Sequence, residues 1–314
     1  MNQNIVVVGA GKWGINHVRT LYEMGALYGV CDKDQDALTE LGPHIKRFRS
    51  VEEVGLDTKV KGVVVATPAR VHATQGCSLM EAGKHVLIEK PMALGLQGLS
   101  QLETAAKDNG TVFMGGHLLL FHAHVKFVVK EAQSGNMGDV LWAYSNRLNF
   151  GTVRTVEDAL WSLATHDISI LLLLAKAMPI HVNCSYRTRD VCSAYLKFES
   201  FDSQIQVNWI HPYKEHRFVV IGTRKTFCME HGRLYCYKHK VQKRQFGFLD
   251  IEKGEKEEVQ IPVLPPLTAQ DKEFVDRVNG DSKSTYGNKI GMDTVRVLVE
   301  LDNSSNRDGR EINL

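Results

Sequence analysis

The run Asn4-Ile5-Val6-Val7-Val8-Gly9-Ala10-Gly11-Lys12-Trp13-Gly14 constrains this chain more than any other segment. A short β-branched strand leads directly into G-x-G-x-x-G, and a helix-like stretch follows to Gly25. A second short strand, Leu27-Tyr28-Gly29-Val30-Cys31, ends at Asp32. The whole reads as a βαβ unit that clamps a dinucleotide, and each part has a physical task. Gly9 permits the tight turn out of the strand, Gly11 lets a pyrophosphate approach the backbone, and Gly14 lets the helix lie close on the sheet. The helix beginning near Lys12 turns free N–H groups and the positive end of its dipole toward phosphates. Trp13 is placed to cover a bound cofactor. Asp32 stands eighteen residues after Gly14, where a carboxylate accepts hydrogen bonds from both hydroxyls of an adenosine ribose. The same charge repels a 2′-phosphate, so the pattern predicts NAD in preference to NADP, with Lys33 as a partial counterweight.

The alternation continues beyond this unit. A polar helix is expected after Asp32, then an edge strand at Ile45-Lys46-Arg47-Phe48. Ser50-Val51-Glu52-Glu53 has capping-box spacing for a short helix. Val63–Ala66, His85–Ile88 and Thr111–Met114 read as buried strands, with helices over about 71–82 and 96–108. Six short strands alternating with helices predict a doubly wound parallel sheet of Rossmann type. Ligands in such sheets sit beyond the carboxyl ends of the strands, where Gly9, Asp32, Thr67 and Glu89-Lys90-Pro91 all fall.

After about residue 120 the rhythm changes. Apolar helices near 124–132 and 167–175 bracket a strand at 140–148, and five β-like runs follow between 181 and 230 without regular helices between them. Helices near 270–278 and 293–303 complete an α+β domain on an open-faced, mostly antiparallel sheet. The expected division is residues 1–118 for the dinucleotide domain and 119–314 for substrate binding and oligomerisation. The basic run 238–244 reads as a solvated strand or loop.

A chain of 314 residues is long enough for two domains with substantial cores. Charge is balanced, 38 basic against 36 acidic residues, so nothing points to nucleic acid or an anionic membrane. Cys31, Cys77, Cys184, Cys192, Cys228 and Cys236 include no C-x-x-C, as suits free thiols in a reducing compartment. The first strand begins at the N-terminus, leaving no room for a removable leader, and the most apolar run, Ile168–Ala175, is too short to span a bilayer. A cytoplasmic protein is expected. His117, His122 and His124 have no acidic or cysteine companion at useful spacing, so no metal is expected.

Three further motifs are Ala66-Thr67-Pro68-Ala69-Arg70-Val71-His72, Gly83-Lys84-His85-Val86-Leu87-Ile88-Glu89-Lys90-Pro91 and Trp161-Ser162-Leu163-Ala164-Thr165-His166-Asp167-Ile168. With the glycine turn, they closely resemble the glucose–fructose oxidoreductase / inositol dehydrogenase / MocA family over the whole chain. Gly116–His122, Asn146–Gly151, Ala159–Trp161 and Trp209–Glu215 look most like its nucleotide-sugar 3-dehydrogenases, the group that includes UDP-N-acetylglucosamine 3-dehydrogenase. The resemblance implies that Lys90 and His166 are the catalytic pair beside the nicotinamide. It also implies a homodimer or homotetramer formed through the C-terminal sheet. Many polyol-oxidising members carry an aspartate four residues before the histidine; here that position is Ser162, which weighs against a free polyol.

Oxidising an alcohol with NAD needs a base for the hydroxyl proton while hydride leaves the same carbon. His166 suits the base role, and Lys90 can hydrogen-bond the substrate oxygen and stabilise its developing charge. Thr67, Pro68, His72 and Glu89 are expected along the cofactor groove, and Asp167 as a helix N-terminal carboxylate. Arg147, Asn149 and Arg154 are candidates for a diphosphate or for sugar hydroxyls, arginine offering bidentate hydrogen bonds. The expected activity is oxidation of C3 of a UDP-linked N-acetylhexosamine. The alternatives are a UDP-uronate, free-sugar or inositol dehydrogenase, or a dinucleotide-binding regulator without turnover.

Overall fold

The computed structural model describes residues 3–34, 42, 44–151, 157–243, 249–307 and 309–314. The polar helix expected after Asp32 falls mostly on residues outside this set, as does Arg154. The chain divides into two compact units: 1–121 with 264–296, and 122–263 with 297–314.

The first unit is built on a six-stranded parallel sheet. Its strands are β1 (Ile5–Val8), β2 (Leu27–Cys31), β3 (Lys46–Phe48), β4 (Gly62–Val65), β5 (His85–Glu89) and β6 (Phe113–Gly116), in the order β3-β2-β1-β4-β5-β6. Order reverses beside β1, which pairs with both β2 and β4. β1 and β4 are buried along their whole length, as parallel strands covered on both faces must be. Helices α1 (Gly14–Glu23), α2 (Val51–Leu56), α3 (His72–Glu81) and α4 (Leu96–Asp108) make the crossovers. The Ser50 Oγ accepts from the Glu53 N–H at 3.3 Å, and the Glu53 carboxylate accepts from the Arg49 N–H at 2.8 Å. This is the expected capping box, shifted back by one residue on its return bond.

A segment the sequence pattern places with the second domain groups instead with the first unit. Helix α7 (Pro266–Val278) puts Phe274 and Val278 against Gly62 of β4. Buried Asp271 of α7 grips His17 of α1: the imidazole Nδ1 lies 2.9 and 3.1 Å from its two oxygens. The ring's other nitrogen, Nε2, lies 3.0 Å from Glu89 Oε1. Burial works to lower the His17 pKa, but Asp271 and then Glu89 outweigh it and raise it to about 10.

The second unit carries α5 (Ala123–Gln133), β7 (Val140–Phe150), α6 (Thr165–Ala175), β8 (His181–Thr188), β9 (Val191–Lys197), β10 (Asp202–Asn208), β11 (Ile210–Gly222), β12 (Lys225–Glu230), β13 (Arg233–Lys243) and β14 (Leu249–Glu258). The unit boundary falls inside α8 (Asn288–Ser305), and β15 (Ile312–Asn313) closes the chain. The nine strands run β14-β13-β12-β11-β7-β10-β9-β8-β15. All neighbours are antiparallel except β7 and β10. β9 shows the strict in–out alternation of a half-buried strand. The basic run lies in β13 as far as residue 243. Among the described residues, no helix is long and apolar enough to cross a membrane.

Two outcomes follow. A Cβ on Gly14 would lie 1.8 Å from the Gly9 carbonyl oxygen, whereas one on Gly11 meets nothing within 4 Å. Gly14→Ala is therefore expected to cost about 1–3 kcal/mol, seen as a melting temperature lowered by several degrees, and Gly11→Ala to leave melting unchanged. The His17 pKa is higher folded than unfolded, so its contribution is full below about pH 6.5 and is lost as pH rises through about 10. Melting of the native protein should fall across that alkaline window, and His17→Gln should start lower at neutral pH and flatten the decline.

Candidate functional site

The turn after β1 is shaped for a backbone that must come close to something else. Gly9 has φ +91°, and a Cβ there would meet the Ala66 carbonyl and the Thr67 nitrogen at 2.9 Å. Gly14 starts α1 pressed on Gly9, while Gly11 faces open space and Lys12 and Trp13 are exposed. A helix start closed tightly on Gly9 and an open glycine before it form a cradle that fits a pyrophosphate. Asp32, just past β2, accepts from the Ala10 N–H at 2.6 Å through Oδ2 and from the Asp34 N–H at 2.9 Å through Oδ1. Both oxygens are thus anchored by backbone N–H groups at the end of β2.

Thr67 and Pro68 follow β4. The Thr67 hydroxyl donates to Gln75 Oε1 at 2.6 Å, and Pro68 is exposed. His72 is 1% exposed, with Nδ1 2.8 Å from the Pro91 carbonyl and Nε2 2.7 Å from the Thr67 carbonyl. It ties the ends of β4 and β5 together, the strand ends along which the cofactor groove is expected.

Glu89 ends β5 and is buried, with Lys90 half-buried after it and a cis Lys90–Pro91 peptide. Its Oε2 accepts from the Lys90 N–H at 3.2 Å. Its register partner on β6 is Gly116, where a Cβ would lie 2.8 Å from Glu89 Oε1; only glycine leaves room for the carboxylate. Burial works to raise the Glu89 pKa, but hydrogen bonds from His17 and the Trp13 indole, with the charges of His17 and Lys90, hold it below the usual range. Asp271 goes the other way: its burial outweighs His17 and raises it. Trp13 stays 43% exposed and meets His17 edge-on.

His17, Asp271 and His117 are the residues that sequence reasoning passed over as site residues. His117 follows β6, is 1% exposed, and has no hydrogen-bond partner for either ring nitrogen among the described residues. Burial, only partly opposed by Glu89 and reinforced by Lys90, lowers its pKa to about 4, so it is neutral.

In the second unit, residues 160–164 form one π-helical turn that leads straight into α6. Such turns are uncommon and favour functional positions. His166, the second residue of α6, is half-buried, and its carbonyl accepts from the Ser169 hydroxyl at 2.7 Å. The π turn is pinned by Asp158 on the Trp161 N–H at 2.9 Å and Asp302 on the Trp161 indole at 2.6 Å. Asp167 is fully buried and takes both Nε and Nη2 of Arg147, at 2.9 and 2.8 Å. The bidentate edge of Arg147, a candidate for a diphosphate or sugar hydroxyls, is taken by Asp167, and Nη1 and one Nη2 hydrogen are not used in that pair. His216 of β11 lies opposite Arg147, and burial followed by that cation lowers its pKa. Asn149 Oδ1 is buried without a hydrogen-bond partner among the described residues.

Residues 3–117 match the GFO_IDH_MocA model, described as an oxidoreductase family with an NAD-binding Rossmann fold. The chain is similar to the UDP-N-acetylglucosamine 3-dehydrogenase of Acidithiobacillus ferrooxidans, 27% identical over 56% of this chain and 55% of the relative. It is also similar to the 2,7-anhydro-N-acetylneuraminate hydratase of Mediterraneibacter gnavus, 34% identical over 45% of this chain and 38% of the relative. The matched segments span about half or less of these relatives. The solved structure of the Acidithiobacillus ferrooxidans dehydrogenase superposes with a TM-score of 0.81 at 19% identity, covering 96% of this chain and 97% of that one. The glycine cradle and the anchored Asp32 both lie within residues 3–117, the segment that matches this oxidoreductase family with its NAD-binding Rossmann fold.

Proposed function

We propose that this chain is an NAD-dependent dehydrogenase that oxidises a ring hydroxyl of a sugar, C3 of a UDP-linked N-acetylhexosamine. The observation that carries the dehydrogenase reading is Lys90, presented at the carboxyl end of β5 by a buried, ionised Glu89. The sugar-nucleotide reading draws on the similarity to UDP-N-acetylglucosamine 3-dehydrogenase and on Ser162 at the position where polyol-oxidising members carry aspartate.

In this reading, NAD when bound accepts hydride from the alcohol carbon, and the chain's own residues do the rest. His166 takes the hydroxyl proton on an imidazole nitrogen. Lys90 donates a hydrogen bond to the same oxygen and stabilises its growing negative charge. Gly9, Gly11, Lys12 and Gly14 cradle the pyrophosphate. Asp32 holds the adenosine ribose and disfavours a 2′-phosphate, which makes NAD the preferred cofactor. Thr67, Pro68 and the exposed face of Trp13 border the cofactor, His72 and Glu89 support it from below, and Asn149 and Arg154 are left to contact the sugar. The protein works in the cytoplasm as a homodimer or homotetramer joined through the nine-stranded sheet. One face of that sheet carries a shallow depression in which Tyr144, Val219, Ile221 and Tyr237 stand beside Arg217 and Glu230.

Purified protein incubated with NAD and UDP-N-acetylglucosamine, with and without 2-oxoglutarate to regenerate a retained cofactor, should yield a nucleotide sugar lighter by two hydrogens. Mass spectrometry reads this directly. A gain of one water instead, as for a hydratase, or no change in either tube would overturn the substrate assignment. For the catalytic roles, His166→Asn and Lys90→Met should each lower kcat by about a hundredfold or more while melting and NAD affinity are kept. Near-normal turnover in a folded, cofactor-bound His166→Asn protein would remove the histidine from the mechanism.

A further inference from the structure

The three buried groups Asp271, His17 and Glu89 carry a charge that geometry alone fixes. A carboxylate can only accept, and His17 presents Nδ1 to Asp271 at 2.9 Å and Nε2 to Glu89 at 3.0 Å. Both ring nitrogens therefore carry hydrogen, and the ring is an imidazolium. One positive and two negative charges leave the cluster with a net charge of minus one. Side-chain exposures of 0% for His17 and Asp271 and 5% for Glu89 keep water from screening it.

The sheet order says what this charge faces. The turn after β1 takes the pyrophosphate and Asp32 after β2 the adenosine ribose, so the adenosine half lies toward β2 and β3. The other half of a dinucleotide runs over the ends of β4, β5 and β6. Glu89 and Lys90 are at the end of β5, and Glu89 is fixed there by the Lys90 N–H at 3.2 Å and by the notch at Gly116. An oxidised nicotinamide brings a positive charge to an end of the sheet that already holds the Lys90 ammonium; a reduced one brings none. His117, directly after β6, is neutral and compensates neither.

We propose that the Asp271–His17–Glu89 cluster is the counter-charge that lets this unit hold an oxidised nicotinamide beside Lys90, favouring NAD+ relative to NADH. This rests on the reading that the first unit binds NAD. His17 and Asp271 act as positioning residues, through Glu89, at a distance from the reacting atoms. Asp271 lies outside the segment that matches the family model, on α7.

The test is binding, with no turnover required. Dissociation constants for NAD+, NADH and ADP-ribose are measured by calorimetry at about pH 6.5 on the full chain and on Glu89→Gln and Asp271→Asn. Each variant removes one negative charge, keeps an acceptor for His17 and is nearly isosteric. Two variants on different elements guard against one that fails to fold. Both should weaken NAD+ about threefold to tenfold and leave NADH and ADP-ribose within about twofold. Parallel weakening of NAD+ and NADH, or an unchanged ratio, would show a purely structural cluster and overturn the proposal. Failure of the native protein to bind any of the three would overturn the cofactor reading itself, and the counter-charge with it.

Discussion

One imidazolium ties the nucleotide-binding unit together. His17 joins α1, the end of β5 and α7 through two carboxylates, all in a region closed to water. Ions are costly to bury, and removing one partner strands the others; breaking a buried pair typically costs about 3–5 kcal/mol. The cluster is therefore an all-or-none feature: the helix that starts at the glycine turn, the strand that presents Lys90 and α7 are correct together or not at all. Burial raises Asp271, while Glu89 is held low by His17 and by the Trp13 indole. Of the two carboxylates, the one beside Lys90 is thus the more strongly held in its ionised form.

Missing side chains do comparable work. At Gly14 the absent Cβ lets α1 touch the Gly9 carbonyl, which brings the helix N-terminus to the strand ends. At Gly116 it opens the notch that Glu89 fills. The first is a matter of phosphate access; the second seats a buried charge. Gly11 is different again, since nothing stands within 4 Å of it and the space it leaves is open to a ligand.

The parts of this fold that were legible in the sequence are those whose information is local. The β1–α1–β2 unit, the six parallel strands and the Ser50 cap each rest on neighbours within a few residues, so periodicity and turn chemistry suffice. The His17–Asp271 pair spans 254 positions, and no spacing rule connects a helix-interior histidine to an aspartate that far away. The grouping of 264–296 with the first unit was hidden for the same reason. β13 and β14 were obscured by composition: the run Lys238-His239-Lys240 reads as solvated, and its partner strand includes Glu255, Lys256, Glu257 and Glu258. Cross-strand pairs such as Lys238 with Glu257, 2.7 Å apart, are visible only once the register is known. Arg147 was legible as a polar strand residue but not as the partner of Asp167, because the bond joins a strand to the start of a helix twenty residues on.

The two candidate catalytic groups each follow or precede a buried ion pair or cluster. Lys90 follows a cluster with a net negative charge. His166 sits next to Asp167, whose charge is matched by the bidentate Arg147. His216, facing the same pair, is pushed below its ordinary value by burial and by Arg147. Alcohol oxidation asks for an electrostatic partner and a base, the roles proposed for Lys90 and His166. The α6 helix makes this possible locally. It is apolar on nearly all sides, so Asp167 can be buried at its first turn only with a full hydrogen-bonded partner, and that partner neutralises the charge which would otherwise act on the imidazole next to it.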